Sequence, residues 1–464
     1  MTEFSTPWVD RTRPAHGGLA GLVVGMAKTV YAMTAPVLRR FPAQVFFGAL
    51  AGGVAGVWII SLLAEAYLSD WPFFKDLLIV VGIATFVAHI PLFAIWWERK
   101  VSAHIQSRCG PMRVGGWHGW AQSFADGIKL ICKEDLVPAH ADSALFRLAP
   151  YVVLTPVVVA FMTLPFGAHW VFRQMDIGLL FILAMLGVEV VGVIMAGWAS
   201  NSKWTVYGAM REACQMVSYE IPLGVALLLP VMTVGSLNLT EIGQLQTGGW
   251  HTWLAFESPF MFCAALAYYI AALASCKRAP FDLPESESEL VAGFLTEYSG
   301  LRWSLFFFAE YAAMYLVSAL AVILFFGGWS SPLPESWGAG WGDGPVMRAI
   351  RGLVFGGPIW LVVKAFILVY VQMWLRWTLP RVRIDQVLYA CVQVMLPLML
   401  ALLLGQTLWL LWVPAESGLV AVTRGVLAAV GGLFVLGSMW VIGKGVVQRR
   451  RLVGNLAVDL LPGS

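Results

Sequence analysis

The sequence has few charged residues and lacks the cysteine and histidine patterns of a redox centre. Charged residues make up 12% of its 464 positions and hydrophobic residues 59%, which excludes an ordinary soluble globule. The six cysteines show no CxxC spacing, which argues against a metal cluster or a disulfide framework. Of the seven histidines only His89 lies in a long apolar run, so no bis-histidine haem is expected. The chain is therefore predicted to have no metal site and no redox centre of its own.

Long apolar runs fill most of the chain, whose mean hydropathy is +0.76. Each is close to the roughly 20 residues that a helix needs to cross a bilayer, and none shows the polar alternation of a strand. In lipid a helix also satisfies its own backbone hydrogen bonds. The sequence therefore predicts an all-α polytopic membrane protein with about ten transmembrane helices, at residues 45–67, 77–97, 147–166, 178–198, 213–235, 256–276, 303–326, 357–376, 388–412 and 420–443.

Basic residues predict the orientation of the chain. With the N-terminus in the cytoplasm, the inside segments hold 24 of the 30 Lys and Arg residues, as the positive-inside rule requires. Both termini are therefore predicted to be cytoplasmic, and no cleavable signal peptide is evident. Charged and apolar residues alternate at 117–132, which predicts an amphipathic helix lying at the cytoplasmic interface.

Four ionisable side chains stand out inside the predicted spans, where an unpaired charge is unfavourable by several kcal/mol. They are Glu189, Glu220, Glu310 and Lys364. One interpretation is a set of buried ion pairs that serve packing, for example a Glu with Lys364. The other is a proton relay, because a surplus buried carboxylate tends to hold a proton near neutral pH.

A second concentration of acid is the segment RAPFDLPESESELVAGFLTEYSG at 278–300, called here the acidic segment. Asp282 and Glu285 have the spacing of a helix capping box, with Pro284 in the first turn, and acids there complement the helix dipole. Capping does not explain the other carboxylates, Glu287, Glu289 and Glu297. Helix capping with solvated charge, bracketed by Lys277, Arg278 and Arg302, remains one interpretation, and a gathering point for protons or for a polar headgroup remains the other.

Seven blocks of sequence together resemble one family. They are WERK at 97–100, QSFADGIKLICKE at 122–134, GWASNSKW at 197–204, MREACQMVSYEIP at 210–222, the acidic segment at 278–300, FFFAEY at 306–311 and LRWTLPRVRIDQ at 375–386. In their order and spacing they are similar to the quinone-site membrane subunit, the H subunit, of proton-pumping NADH:quinone oxidoreductase, respiratory complex I. The resemblance covers about residues 77–412.

The resemblance implies a core of eight helices at 77–412. The two remaining predicted spans lie outside this core, one in 1–76 together with an interfacial segment and the other in 413–464 before a basic tail. It implies a non-redox subunit that is not catalytic alone, forms a quinone chamber with peripheral-arm iron–sulfur and quinone-site subunits, and couples quinone reduction to proton translocation. Quinone is the substrate, and FMN and the iron–sulfur clusters are expected in partner subunits. Small membrane subunits and antiporter-like pumping subunits are the other partners expected in the cell inner membrane, and no nucleic acid is expected.

Site residues follow from this resemblance and from burial in the spans. The resemblance assigns quinone binding to Glu98, Arg99, Asp126, Lys129, Arg278, Asp282 and Glu297. Proton coupling is assigned to Glu189, Glu220, Glu285, Glu287, Glu289, Glu310, Lys364 and Asp385, of which Glu189 and Lys364 rest on their place in a span.

The sequence departs from the family pattern at three positions. Many members carry a Glu three residues before the Arg of RAPFD, where this chain has Ser275, while Glu189 stands at a place that is commonly small and apolar, and Glu212 is also unusual. We therefore expect Glu189 to substitute for the missing acid. Two other functions stay open, a related membrane subunit of a proton-pumping hydrogenase and a stand-alone ion transporter. The absence of a clear internal repeat argues against the transporter.

Overall fold

The computed structural model describes residues 72–115, 117–168, 170–283, 287–333, 356–413, 418–433 and 437. In these ranges the regular elements are helices, and the only extended pairing is a single bridge between Ser330 and Gly356. The all-α prediction is therefore confirmed. The predicted span at 45–67, the end of the predicted span at 420–443 and the basic tail lie outside the described residues.

Twelve helices are used below. They are α1 (Pro72–Ile105), α2 (Gln122–Cys132), α3 (Ser143–Ala160), α4 (Gly178–Ala199), α5 (Lys203–Val234), α6 (Leu239–Gln244), α7 (Pro259–Ser275), α8 (Glu287–Leu290), α9 (Gly300–Phe325), α10 (Pro358–Thr378), α11 (Ile384–Trp412, with a π turn at Ala390–Met395) and α12 (Gly418–Leu433).

Seven of these helices are long and apolar enough to cross a bilayer, counting only the described part of the chain: α1, α3, α4, α5, α9, α10 and α11. The apolar helices α7 and α12 are shorter. Each of the eight runs predicted between 77 and 412 contains a helix, but the boundaries differ. α5 begins at Lys203, ten residues before the predicted run at 213–235, because a helix continues through polar residues that a hydropathy window excludes.

Local sequence signals account for several helix ends. Asp142 caps α3 by accepting hydrogen bonds from the backbone N–H groups of Ala144 and Leu145. Ser258 caps α7 by accepting from Met261, and Pro259 occupies the first turn, where its missing N–H is harmless. At the other end of α5, Gly235 adopts the left-handed conformation with φ of 78°.

The described chain divides into two units, and each is described by itself. One comprises the described residues of Met1–Ala139 with Glu297–Phe308, and the other those of His140–Thr296 with Ala309–Ser464. In the second unit, residues from Ala309 to the end of α9 are buried among neighbouring helices. The Tyr268 hydroxyl donates to the Val317 carbonyl at 3.0 Å, and the Gln372 amide donates to the Ser318 hydroxyl at 3.0 Å.

The outer surface of the second unit is apolar, as a bilayer requires. On α4, one face exposes Leu180, Val188, Val191 and Ile194, which share a stripe at helical spacing. The opposite side of the same helix packs closely on α5, where a Cβ added to Gly197 would lie 2.3 Å from the Cβ of Ala209. The acids described next lie on the protein-facing side of this layer.

Candidate functional site

The centre of the candidate site is the turn that follows α7. This helix ends at Ser275, and the chain then turns while still enclosed, with Arg278 only 1% exposed. Gln215 of α5 supports the turn, because its amide nitrogen donates to the carbonyls of Ala274 and Phe281 at 2.8 Å each. Two successive cations, Lys277 and Arg278, are thereby held inside the protein.

Lys277 contacts two carboxylates from two different helices. Its Nζ lies 2.9 Å from Oε1 of Glu189 on α4 and forms a second ion pair with Oε1 of Glu212 on α5. The side chains of Lys277, Glu189 and Glu212 are 10%, 4% and 0% exposed. We call these three residues the Lys277 cluster. Glu189 was predicted as a buried acid, and its cation comes from the turn rather than from another span.

Arg278 contacts a third buried acid. Its Nε lies 2.9 Å from Oε1 of Glu310 on α9, and its guanidinium lies 4.2 Å from the ring centre of Tyr311. The two residues of this ion pair are 1% and 10% exposed. Burial of a charge is tolerated when it is paired in this way, and the ring face adds a favourable cation–π contact.

Further along the acidic segment the charges pair near the surface. Oδ2 of Asp282 lies 3.3 Å from Arg381, in the loop between α10 and α11. Glu289 of α8 accepts a hydrogen bond from Arg211 at 2.5 Å, and this hydrogen bond lowers the pKa of Glu289 from its ordinary value. Arg211 and Glu289 also line a groove of about 430 Å³. The segment is therefore attached to the loop before α11 through Asp282 and to α5 through Glu289.

Glu220, the other predicted acid of α5, packs against α4. A Cβ built on Gly187 would lie 3.0 Å from Oε1 of Glu220, so the missing side chain of this glycine leaves room for the carboxylate. Glu220 is partly exposed.

Lys364 does not form the ion pair that one interpretation of the sequence suggested. Its Nζ donates to the carbonyls of Phe326, Gly328 and Ser330 at 2.8, 3.2 and 2.7 Å, and it lies 4.5 Å from the ring centre of Trp253. These carbonyls follow the end of α9, where the helix leaves acceptors unused. The residue therefore ties α10 to this loop.

Three more proton-coupling predictions fall on the acidic segment or near it. Asp385 is exposed in the first turn of α11, where an acid complements the helix dipole. Glu285 and the predicted capping box around Pro284 lie outside the described residues, and of Glu287 only the helical backbone is described.

The quinone-binding prediction is distributed over both units. In the first unit, Arg99 of α1 forms an ion pair with Asp126 of α2, which also accepts from Gln122 at 3.0 Å. Glu98 is buried, Lys129 is exposed and Glu297 is partly exposed. Arg278 and Asp282 belong to the second unit. The predicted amphipathic helix is observed as α2, which is shorter than the predicted 117–132.

Two members of the Lys277 cluster were not predicted as site residues. The predicted span began at 213, so Glu212 fell outside it, although α5 places this residue three turns inside a helix. Lys277 was interpreted only as a neighbour of the acidic segment. If the predicted helix had been extended from residue 213 back to Lys203, Glu212 would have been counted among the acids inside a helix.

No group in the described residues fits a metal ion, since no three His, Cys, Asp or Glu side chains converge there. All six cysteines are free thiols. The arrangement offers instead a connected set of acids and cations, and such a set can hold and exchange protons.

Comparison of the sequence with known proteins identifies a family. Residues 77–407 match the family model described as NADH dehydrogenase. The H subunit of NADH-quinone oxidoreductase from Chlorobium luteolum is 44% identical over 346 residues, which cover 73% of this chain and 90% of that relative. The protein of the same name from Anaeromyxobacter dehalogenans is 42% identical over 362 residues, which cover 77% and 85%. The chain therefore belongs to the NADH dehydrogenase family, with the H subunits of NADH-quinone oxidoreductase as its relatives.

Proposed function

We propose that this chain is a non-redox membrane subunit of a proton-pumping NADH:quinone oxidoreductase. In this role it forms a quinone chamber together with peripheral-arm subunits, which carry FMN and the iron–sulfur clusters, and it passes the effect of quinone reduction to proton-pumping membrane subunits. Family membership and the names of the relatives support this assignment. The chain is inert without those partners, and both of its termini face the cytoplasm.

The observation that carries the coupling role is the pair of successive cations at the turn after α7. Lys277 and Arg278 contact three buried carboxylates, Glu189, Glu212 and Glu310, on three different helices. The acidic segment begins at Arg278, so any displacement of this segment changes the distance from these cations to the buried acids. Because each acid is stabilised in its charged form by the nearby cation, a displacement alters how tightly the acids hold protons.

Quinone reduction supplies the driving charge. Reduction of quinone to quinol by two electrons takes up two protons and transiently builds negative charge, to which an acidic segment responds by changing protonation or position. We assign quinone contacts to Glu98, Arg99, Asp126, Lys129 and Glu297 of the first unit and to Arg278 and Asp282 of the second. Proton coupling we assign to Glu189, Glu220, Glu285, Glu287, Glu289, Glu310, Lys364 and Asp385.

Glu189 supplies the acid that is missing at Ser275. Ser275 is the last residue of α7, and the carboxylate of Glu189 reaches the cation two residues beyond it, at 2.9 Å. An acid on α4 thereby provides a negative charge at the turn where one on α7 is absent. Glu189→Gln is expected to lower the ratio of protons pumped to NADH oxidised. An unchanged ratio would contradict the proposal that Glu189 replaces the acid missing at position 275.

The main test of the proposed function uses Glu310→Gln in the complete complex in membrane vesicles. We expect NADH:quinone reductase activity with a reduced pumped-proton ratio, because the isosteric amide cannot carry the proton. Glu241→Gln is the matched control, since Glu241 is an exposed acid on α6. An unchanged ratio in Glu310→Gln would refute the coupling role.

Two further observations separate this function from the alternatives. Photo-crosslinking with an azido-quinone is expected to label residues near Glu98 or in the acidic segment, whereas the related membrane protein of a hydrogenase would not be labelled. Ion flux through the purified chain in vesicles would instead indicate a stand-alone transporter.

A further inference from the structure

The Lys277 cluster has more negative than positive groups. One ammonium faces two carboxylates, and all three side chains are at least nine-tenths buried. The other charged or titratable groups that interact with the cluster are Arg278 and Glu310, which neutralise each other, and the buried thiol of Cys276. From the acidic segment the cluster faces an aromatic ring, that of Phe294, 6.0 Å from Nζ of Lys277.

With both acids ionised, the cluster would hold one net negative charge in a dry environment. Burial of such a charge is strongly unfavourable, and a carboxylate in that position takes up a proton instead. Like charges in close proximity favour the same outcome, since two acids that share a site do not both ionise readily. The cluster is electrically neutral when it holds one proton and Lys277 keeps its ammonium form.

The environment of Glu212 gives an independent indication. Its Oε2 is buried and has no hydrogen-bond partner among the described residues. An ionised carboxylate would leave the charge on this oxygen without solvation, which costs more than burial of a neutral carboxyl. Lys277 contacts one oxygen of each acid, Oε1 of Glu189 at 2.9 Å and Oε1 of Glu212, so it leaves Oε2 of Glu212 unpaired.

We propose that Glu189 and Glu212 share one exchangeable proton, with Lys277 as the cation between them. In one state the proton is on Glu212 and Lys277 neutralises Glu189. In the other, the O–H bond of Glu212 has broken, an O–H bond on Glu189 has formed, and Lys277 neutralises Glu212. The proton thus belongs to the pair rather than to either residue. When it passes from Glu212 on α5 to Glu189 on α4, one negative charge moves from α4 to α5.

This inference deepens the proposed coupling role and rests on it for its biological purpose. Lys277 directly precedes Arg278, the first residue of the acidic segment, so a shift of that segment moves Lys277 toward one acid or the other. The proton then goes to the acid that has lost its cation. The Lys277 cluster is in this way a site that is loaded or emptied by the position of the segment.

Infrared difference spectroscopy of the resting, assembled complex tests the shared proton. We compare wild type with Glu189→Gln and with Glu212→Gln, and measure the carbonyl stretch of protonated carboxyl groups after exchange into D₂O. Either variant is expected to lose the signal of one protonated carboxyl, because the remaining acid ionises against Lys277. Lys277→Gln is expected to gain the signal of one, since both acids then hold protons.

The outcomes that overturn the proposal are specific. A signal that is unchanged in both Gln variants means that both acids are ionised in wild type. A shared proton gives wild type two carbonyl frequencies, one for each acid, so a wild-type signal at a single frequency means that the proton is fixed on one residue and not shared. Glu241→Gln is the control that should not alter the spectrum. Since the measurement needs no quinone turnover, its failure is distinct from an unchanged pumping ratio in Glu310→Gln.

Discussion

Removal of Arg278 provides the most direct test of how the buried charges are held. In Arg278→Met the carboxylate of Glu310 loses the cation 2.9 Å from its Oε1, in surroundings where the two side chains are 1% and 10% exposed. With charge centres about 4 Å apart, an effective dielectric constant of about 20 gives a Coulomb term of about 4 kcal/mol. This matches the roughly 3–5 kcal/mol lost when one partner of a buried pair is removed. Loss of the contact with Tyr311 adds about 0.5–2 kcal/mol.

A double variant separates the pairing of these charges from their packing. Arg278→Met combined with Glu310→Leu removes both charges, and such replacements of buried pairs are often neutral or stabilising. We therefore expect the single variant to be markedly less stable and the double variant to regain most of the loss. Arg278→Lys keeps the charge without the planar group over Tyr311 and should be intermediate.

The assay is thermal inactivation of NADH:quinone reductase activity in membranes, together with the amount of assembled complex at a fixed temperature. Double-mutant analysis of these stabilities gives the interaction energy of the pair. The reasoning is refuted if Arg278→Met inactivates at the wild-type temperature, or if the double variant is as unstable as the single one.

Three other predictions concern positions elsewhere in the second unit. Lys364→Met should destabilise the complex by about 2–5 kcal/mol, because three carbonyls lose a charged donor. The temperature of thermal inactivation measures this loss, and Gln244→Met on the exposed side of α6 is the control. Gly208→Ala should cost about 1–3 kcal/mol and reduce azido-quinone labelling of the acidic segment, since the new Cβ would lie 2.6 Å from the backbone nitrogen of Phe294. Arg211→Gln should raise the pKa of Glu289 toward its ordinary value, because the hydrogen bond from Arg211 is the largest cause of the lowered pKa. In wild type the Arg211–Glu289 ion pair is fully present above the ordinary pKa of Glu289 and is lost as the pH falls through the lowered pKa. Limited proteolysis of the acidic segment should therefore be faster in the variant at pH 7 and equally fast in both proteins in acid. Equal rates at pH 7 would contradict this prediction.

The helices of this protein are largely predictable because membrane insertion depends on summed hydropathy, which a sequence states directly. The runs that became α4, α9 and α10 were placed within a few residues of the observed helices. α5 was predicted ten residues too short, since its first three turns contain Lys203, Arg211 and Glu212. These residues are helical because of packing against α4 and residues 293–295, which is tertiary information.

Two of the three buried acids at the turn were also predictable, but their partners were not. Glu189 and Glu310 stand out as charges in apolar runs. Their cations, Lys277 and Arg278, lie in the turn after the end of α7. The length of α7 decides this, and a sequence pattern gives helix ends only approximately. Lys364 was expected to find a carboxylate, yet backbone carbonyls satisfied it instead. Hydropathy gives no information about which carbonyls a helix end leaves available.

The short length of α7 has a consequence for how such a protein changes through evolution. α7 has 17 residues, about 26 Å, and α5 has 32, about 48 Å. The chain that follows α7 thus enters a space enclosed by longer neighbours, and α4, α5 and α9 each present a carboxylate there. We therefore expect that an acid lost from one wall of this space can be complemented by an acid placed on another wall, so that the total charge of the enclosure matters more than the position of each carboxylate.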